Sequence, residues 1–154
     1  MPQAIKSIVI KADLDRTFNI TNDIDRWSEL FMEYKHSKIL KKENYGRFTR
    51  LEFELSNPEG QTWQSWRMLD HQEHVAFAQR EKPMFPYKYM YLTWKYEQVE
   101  DGVLMTWIQD FELDPKAPKT NEEALEYTIH NMEEKQKIFK EVIEAGFARV
   151  DVGN

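Results

Sequence analysis

Residues 122–147 constrain the fold of this chain more than any other segment. Projected at about 100° per residue, Glu122, Glu123, Glu126, Glu133, Glu134, Lys137, Lys140, Glu141 and Glu144 fall on one continuous arc, while Leu125, Ile129, Met132, Ile138, Phe139, Val142, Ile143 and Phe147 fall on the other. Thr120 stands three residues before Glu123, the spacing of a capping box, and Gly146 supplies a C-terminal stop signal. The pattern predicts one long amphipathic helix whose apolar stripe must be covered by another element. Three polar residues, Asn131, Lys135 and Gln136, interrupt that stripe.

The cover comes from upstream. Residues 4–11 are rich in β-branched side chains and read as a strand. Asp13 and Asp25 are positioned to cap short helices over 14–21 and 26–31. Six further strand-like runs follow, at 36–43, 46–56, 59–70, 73–80, 87–99 and 102–112. Short turns such as Asn44-Tyr45-Gly46 and Asp101-Gly102 separate them, so successive runs pair as antiparallel hairpins. Alternation assigns faces: Leu51, Phe53 and Leu55 oppose Arg50, Glu52 and Glu54. Met90, Leu92, Trp94 and Tyr96 share one side, as do Val103, Met105, Trp107, Gln109 and Phe111. The predicted class is α+β: a curved antiparallel sheet of about seven strands wrapped around the C-terminal helix, with two short helices after the first strand. No repeat or linker divides the chain, so residues 1–154 read as one domain.

Charge and composition exclude several functions. Lys plus Arg is 21 against 27 Asp plus Glu, a formal charge of −6, which disfavours a nucleic-acid partner. The absence of cysteine removes thiol nucleophiles, thiolate metal sites and disulfides, and fits a reducing compartment. No apolar run is long enough to span a membrane, and the N-terminus lacks a signal-peptide pattern. A cytoplasmic location is the expectation. The five Trp, seven Tyr and nine Phe concentrate hydrophobicity in flat side chains that can wall a pocket as well as fill a core.

No helical metal motif, nucleophile elbow or phosphate-binding loop is present, and no metal is expected. His71 and His74 lie across a turn and read as solvated. Trp27, Phe31 and Tyr34 follow helical spacing and read as a hydrophobic plug or a pocket wall. Trp63, Ser65 and Arg67 share strand parity against Gln64, Trp66 and Met68. If Trp63 points inward so does Arg67, and a buried guanidinium requires a reason; parity alone leaves both faces open. Met84, Phe85, Pro86 and Tyr87 form an apolar loop that reads as a lid or a plain connection.

Several stretches resemble the aromatase/cyclases of bacterial type II polyketide synthases, within the START-like (helix-grip) superfamily. They are Thr21 to Tyr34, Trp63-Gln64-Ser65-Trp66-Arg67, Tyr89 to Tyr96, Met105 to Phe111 and Asp114-Pro115-Lys116-Ala117-Pro118. The resemblance spans nearly the whole chain, in order. It implies a cofactor-independent enzyme that takes a poly-β-ketone, still on an acyl carrier protein of a minimal polyketide synthase, and directs first-ring aldol closure, dehydration and aromatisation. It implies catalytic roles for Arg67, Tyr34 and Ser65, turning the Trp63 face inward, and aromatic wall positions for Trp27, Trp63, Trp94 and Trp107; Phe31 joins the expected substrate-binding wall through its spacing with Trp27 and Tyr34. Asn131 and Lys135 are expected to face the cavity from the helix. Lys135 departs from the neutral polar residue the resemblance leads one to expect, and the chain's length matches a monodomain form. The competing reading is a non-catalytic carrier of a lipid, quinone or aromatic ligand, which needs an apolar cavity without a buried charge.

Overall fold

The computed structural model describes residues 2–146. Strand β1 (Gln3–Ile10) leads into helix α1 (Leu14–Thr21), one 3₁₀ turn (Ile24–Arg26) and the single turn α2 (Trp27–Leu30). Strands β2 (His36–Tyr45), β3 (Phe48–Ser56), β4 (Thr62–Asp70), β5 (Val75–Arg80), β6 (Tyr87–Val99) and β7 (Gly102–Leu113) follow, and helix α3 (Asn121–Glu144) closes the order. The strands form one antiparallel sheet in the order β1-β7-β6-β5-β4-β3-β2. Each hairpin sits beside its predecessor, and β1 returns to pair with β7.

Burial follows the alternation. Leu51, Phe53 and Leu55 on β3, Trp94 and Tyr96 on β6, and Val103, Met105, Trp107 and Phe111 on β7 are buried on the concave face. The helix lies along that face. Phe139 meets Trp94 and Trp107 edge-on, at 6.2 and 6.0 Å between ring centroids, and each such pair adds roughly 0.5–1.5 kcal/mol beyond area burial. Thr120 caps α3 with the reciprocal Glu123 contact the sequence predicts. Toward its C-terminal end the helix is pinned to β1 and α1: Lys140 Nζ donates to Val9 O at 2.6 Å and Arg16 Nη2 to Ile143 O at 3.2 Å. The turn at Gly102 fits tightly under the end of β1. A Cβ there would collide with the Ile10 carbonyl, and φ is 145°, so glycine is required.

Two expectations are corrected. Helix α2 stops at Leu30; its C-cap Phe31 still donates its N–H to Trp27 O at 2.9 Å but is extended at φ −119°, so helical spacing joins Trp27 to Phe31 and does not bring in Tyr34. A hydrogen-bonded turn does, with Tyr34 N donating to Phe31 O at 3.1 Å. The β4–β5 turn is not simply solvated. His74 accepts a positive φ of 54°, contacts Asp15 at 2.8 Å and meets Phe18 edge-on, as does His71 from the other side. The two rings clasp α1 onto the sheet. Helix α3 ends at Glu144, just before the Gly146 stop that the sequence predicts, and Phe147 lies outside the described residues.

Candidate active site

Between the sheet and α3 lies a cavity of about 590 Å³, within the range of small-molecule sites. Strand pairing sets its floor. In the β3–β4 register Leu51 opposes Arg67, Phe53 opposes Ser65 and Leu55 opposes Trp63. Because directly paired residues share a face, the burial of the β3 apolar set turns Trp63, Ser65 and Arg67 inward. All three line the cavity, while Trp66 packs against Phe77 on the outer face.

Arg67 is the largest fully buried side chain, 2% exposed. Its guanidinium lies 4.2 Å from the Trp94 ring centroid and 5.3 Å from that of Trp27, cation–π contacts that offset part of its desolvation. Its one hydrogen bond among the described residues runs from Nε to Asn22 Oδ1 at 2.8 Å. Burial lowers its pKa to about 10, so it stays cationic at neutral pH. No carboxylate neutralises it among the described residues.

The aromatic wall is continuous. Trp94 and Trp107 oppose each other across β6 and β7 and stack at 4.0 Å and 7°. Trp27 lies 5.9 Å from both Trp94 and Tyr34, and Phe31 closes against Phe139 at 5.0 Å. Two contacts with β2 fix α2 and the 3₁₀ turn before it: Ser28 N donates to Ser37 Oγ, and Ile39 N to Asp25 Oδ1.

On the helix side, Asn131, Met132, Lys135 and Phe139 face the cavity. Lys135 Nζ donates to Tyr34 Oη at 3.2 Å and pairs with Glu33 at 2.6 Å. Burial opposes its charge, but Tyr34 and Glu33 outweigh that and raise its pKa. The lysine therefore both reaches the rim and adds a charge to the wall. Gln136 does not join this polar strip. It is 1% exposed and turned the other way, with Nε2 donating to Lys6 O at 3.0 Å, so it anchors β1.

A family profile described as polyketide cyclase / dehydrase and lipid transport matches residues 1–149. The chain belongs to this family. Among curated relatives, a Streptomyces cyaneus protein provisionally named a polyketide cyclase is 38% identical over 112 residues, 72% of this chain and 73% of its own. A Streptomyces halstedii protein of the same provisional name is 38% identical over 107 residues, 66% of this chain and 93% of its own. Solved structures share the fold. The Zhui aromatase/cyclase from Streptomyces sp. R1128 has a TM-score of 0.70 at 16% identity, covering 96% of this chain and 94% of its own. The di-domain aromatase/cyclase BexL has a TM-score of 0.73 at 18% identity; the match covers 94% of this chain and spans 47% of BexL.

In this member of the polyketide cyclase / dehydrase and lipid transport family, every residue singled out from sequence as catalytic or substrate-binding lines one cavity. Sequence reasoning missed two others. Asn22, within the Thr21 to Tyr34 stretch but given no role there, is the hydrogen-bond partner of Arg67. Arg80, the last residue of the run 73–80 read as a strand, lines the cavity and places its guanidinium 5.1 Å from the Trp63 ring centroid. Burial lowers the Arg80 pKa. Its strand parity with the buried Ala76 and Ala78 is the signal that could have found it.

Proposed function

We propose that this chain, read as one domain over residues 1–154, is an aromatase/cyclase of a cytoplasmic polyketide pathway. Its substrate is a poly-β-ketone on an acyl carrier protein of a minimal polyketide synthase. The carrying observation is Arg67: a guanidinium 2% exposed, on the floor of an aromatic cavity, with no carboxylate partner among the described residues. A carrier of neutral apolar ligands gains nothing from a charge that costs several kcal/mol to desolvate. A catalyst that must stabilise developing oxyanions does.

The chemistry follows from the residues. Water takes a proton from the methylene between two ketones, which is acidic enough to need no stronger base, and the same proton is returned to Tyr34 at the end of the step. The resulting enolate carbon attacks a distant ketone of the same chain; one carbon–carbon bond forms and the carbonyl electrons move to oxygen. Arg67 stabilises the enolate and alkoxide charge in a low-dielectric site. Tyr34 is the proton donor to the alkoxide. Its oxygen accepts from Lys135, which leaves its own hydroxyl proton for the cavity. Loss of water and enolisation then give an aromatic ring, with no change in net oxidation state. Ser65 hydrogen-bonds a ketone beside Arg67, and the rings of Trp27, Phe31, Trp63, Trp94 and Trp107, with Asn131 and Lys135 opposite, hold one bent conformer.

The test is reconstitution with a minimal polyketide synthase, with and without this chain. A single directed aromatic product in place of the spontaneous mixture is the expected result. An unchanged mixture, together with tight binding of a neutral lipid, would favour the carrier reading.

A further inference from the structure

Arg67 is held by a neutral group, and the hydrogens around that group can be placed one by one. Thr21 Oγ1 donates its single proton to Thr17 O at 2.8 Å, so in the 2.6 Å contact between Thr21 Oγ1 and Tyr96 Oη the tyrosine is the donor. The Tyr96 oxygen is then free to accept, and Asn22 Nδ2 donates to it at 3.3 Å and to Phe18 O at 2.9 Å. With its amide nitrogen fixed by two acceptors, Asn22 can present only Oδ1 to Arg67 Nε. A flipped amide would set oxygen against the Phe18 carbonyl and N–H against N–H. Thr21, Asn22, Arg67 and Tyr96 are all buried, so water does not offer these groups an easy substitute.

We propose that Asn22, oriented by Tyr96 and Thr21, is a positioning residue that aims the Arg67 guanidinium into the cavity while leaving its charge uncompensated. A carboxylate at this position would hold Nε equally well and would also neutralise the cation. The amide separates the two effects, so the remaining N–H groups of Arg67 stay available to an anionic centre. The catalytic side of this inference rests on the cyclase reading above; the electrostatic side does not.

Asn22→Asp tests the idea directly, because it keeps the oxygen and adds the charge. The probes are 8-anilino-1-naphthalenesulfonate, which is anionic and aromatic, and the neutral N-phenyl-1-naphthylamine. Asn22→Asp is expected to weaken the anionic probe about ten-fold or more, to change the neutral probe less than about three-fold, and to lose directed cyclisation. Equal affinity for the anionic probe in wild type and Asn22→Asp would overturn the proposal, leaving Asn22 as a plain cap of α1.

If Asn22→Asp fails to fold, Tyr96→Phe carries the test. Its expected result is a faster-exchanging, shifted Arg67 Nε–H resonance and a broader product mixture, with the melting temperature within about 4 °C of wild type. An unmoved resonance with unchanged products sinks the proposal. A wild-type chain that directs no cyclisation yet discriminates the two probes through Asn22 would refute the cyclase reading and keep the positioning role.

Discussion

Lys135 and Tyr34 meet across the mouth of the cavity, Nζ to Oη at 3.2 Å, one from the long helix and one from the turn after α2. The contact joins two elements 101 residues apart and gives the tyrosine a cationic neighbour. Lys135→Leu therefore removes a charge from the wall without stranding a buried partner, because Glu33 is 44% exposed. The expected outcome is a melting temperature within about 3 °C of wild type with an altered distribution of ring products. Clear destabilisation with an unaltered distribution would make Lys135 a structural pin.

Arg67 predicts a trade of stability against function. A buried guanidinium without a carboxylate is costly to hold, so Arg67→Met is expected to melt at or above the wild-type temperature. The same change is expected to lower the rate of directed cyclisation by ~10²–10³, the usual loss for one oxyanion donor. Arg67→Lys should not restore it, since an ammonium lacks the planar fork that takes the Asn22 bond while its far end sits over Trp94. Thermal melts beside product profiles read both halves; normal products from Arg67→Met would remove the residue from the mechanism.

Gln136 serves as the contrast. Its side chain satisfies the Lys6 carbonyl at 3.0 Å and is 1% exposed. Gln136→Leu removes that bond and is expected to cost about 0.5–1.5 kcal/mol in urea unfolding, with product ratios unchanged. A shift in products would mean that the seating of β1 reaches the cavity.

Asp70 sets an acid limb. Burial pushes its carboxyl up, but the Gln72 and Glu73 amides and Arg47 outweigh this and hold it below the usual carboxylate range. A depressed folded-state pKa lends stability that is fully present above the ordinary value near ~4 and is lost as pH falls through the folded value. Asp70→Asn should therefore narrow the gap to wild type as pH drops from neutral toward ~3. A gap independent of pH in denaturant titrations would assign the turn's stability to its backbone alone.

What the sequence made legible was whatever repeats with a short period. The α3 stripe, its Thr120–Glu123 cap and the alternation on β3, β6 and β7 are local patterns, and the structure keeps them. Arg67 lay one step beyond that reach. Its parity allowed two faces, and only the pairing of β4 with β3 turns it inward, information carried by two segments together. Asn22 was less legible still: nothing near it in the chain marks a residue whose partner is 45 positions away. Tyr34 shows the converse error, since helical spacing from Trp27 persists in the sequence after the helix has ended at Leu30.

The stacked Trp94 and Trp107 have a practical consequence when set beside Trp27 and Trp63. Four of the five tryptophans line the cavity, and the fifth, Trp66, is on the outer face. The chain's intrinsic ultraviolet emission is thus almost entirely a signal from its interior. A planar chromophore entering the cavity will quench it by energy transfer, and Trp66→Phe strips the background. Occupancy, turnover and product release can then be followed in real time, without a label, by the light of the wall itself.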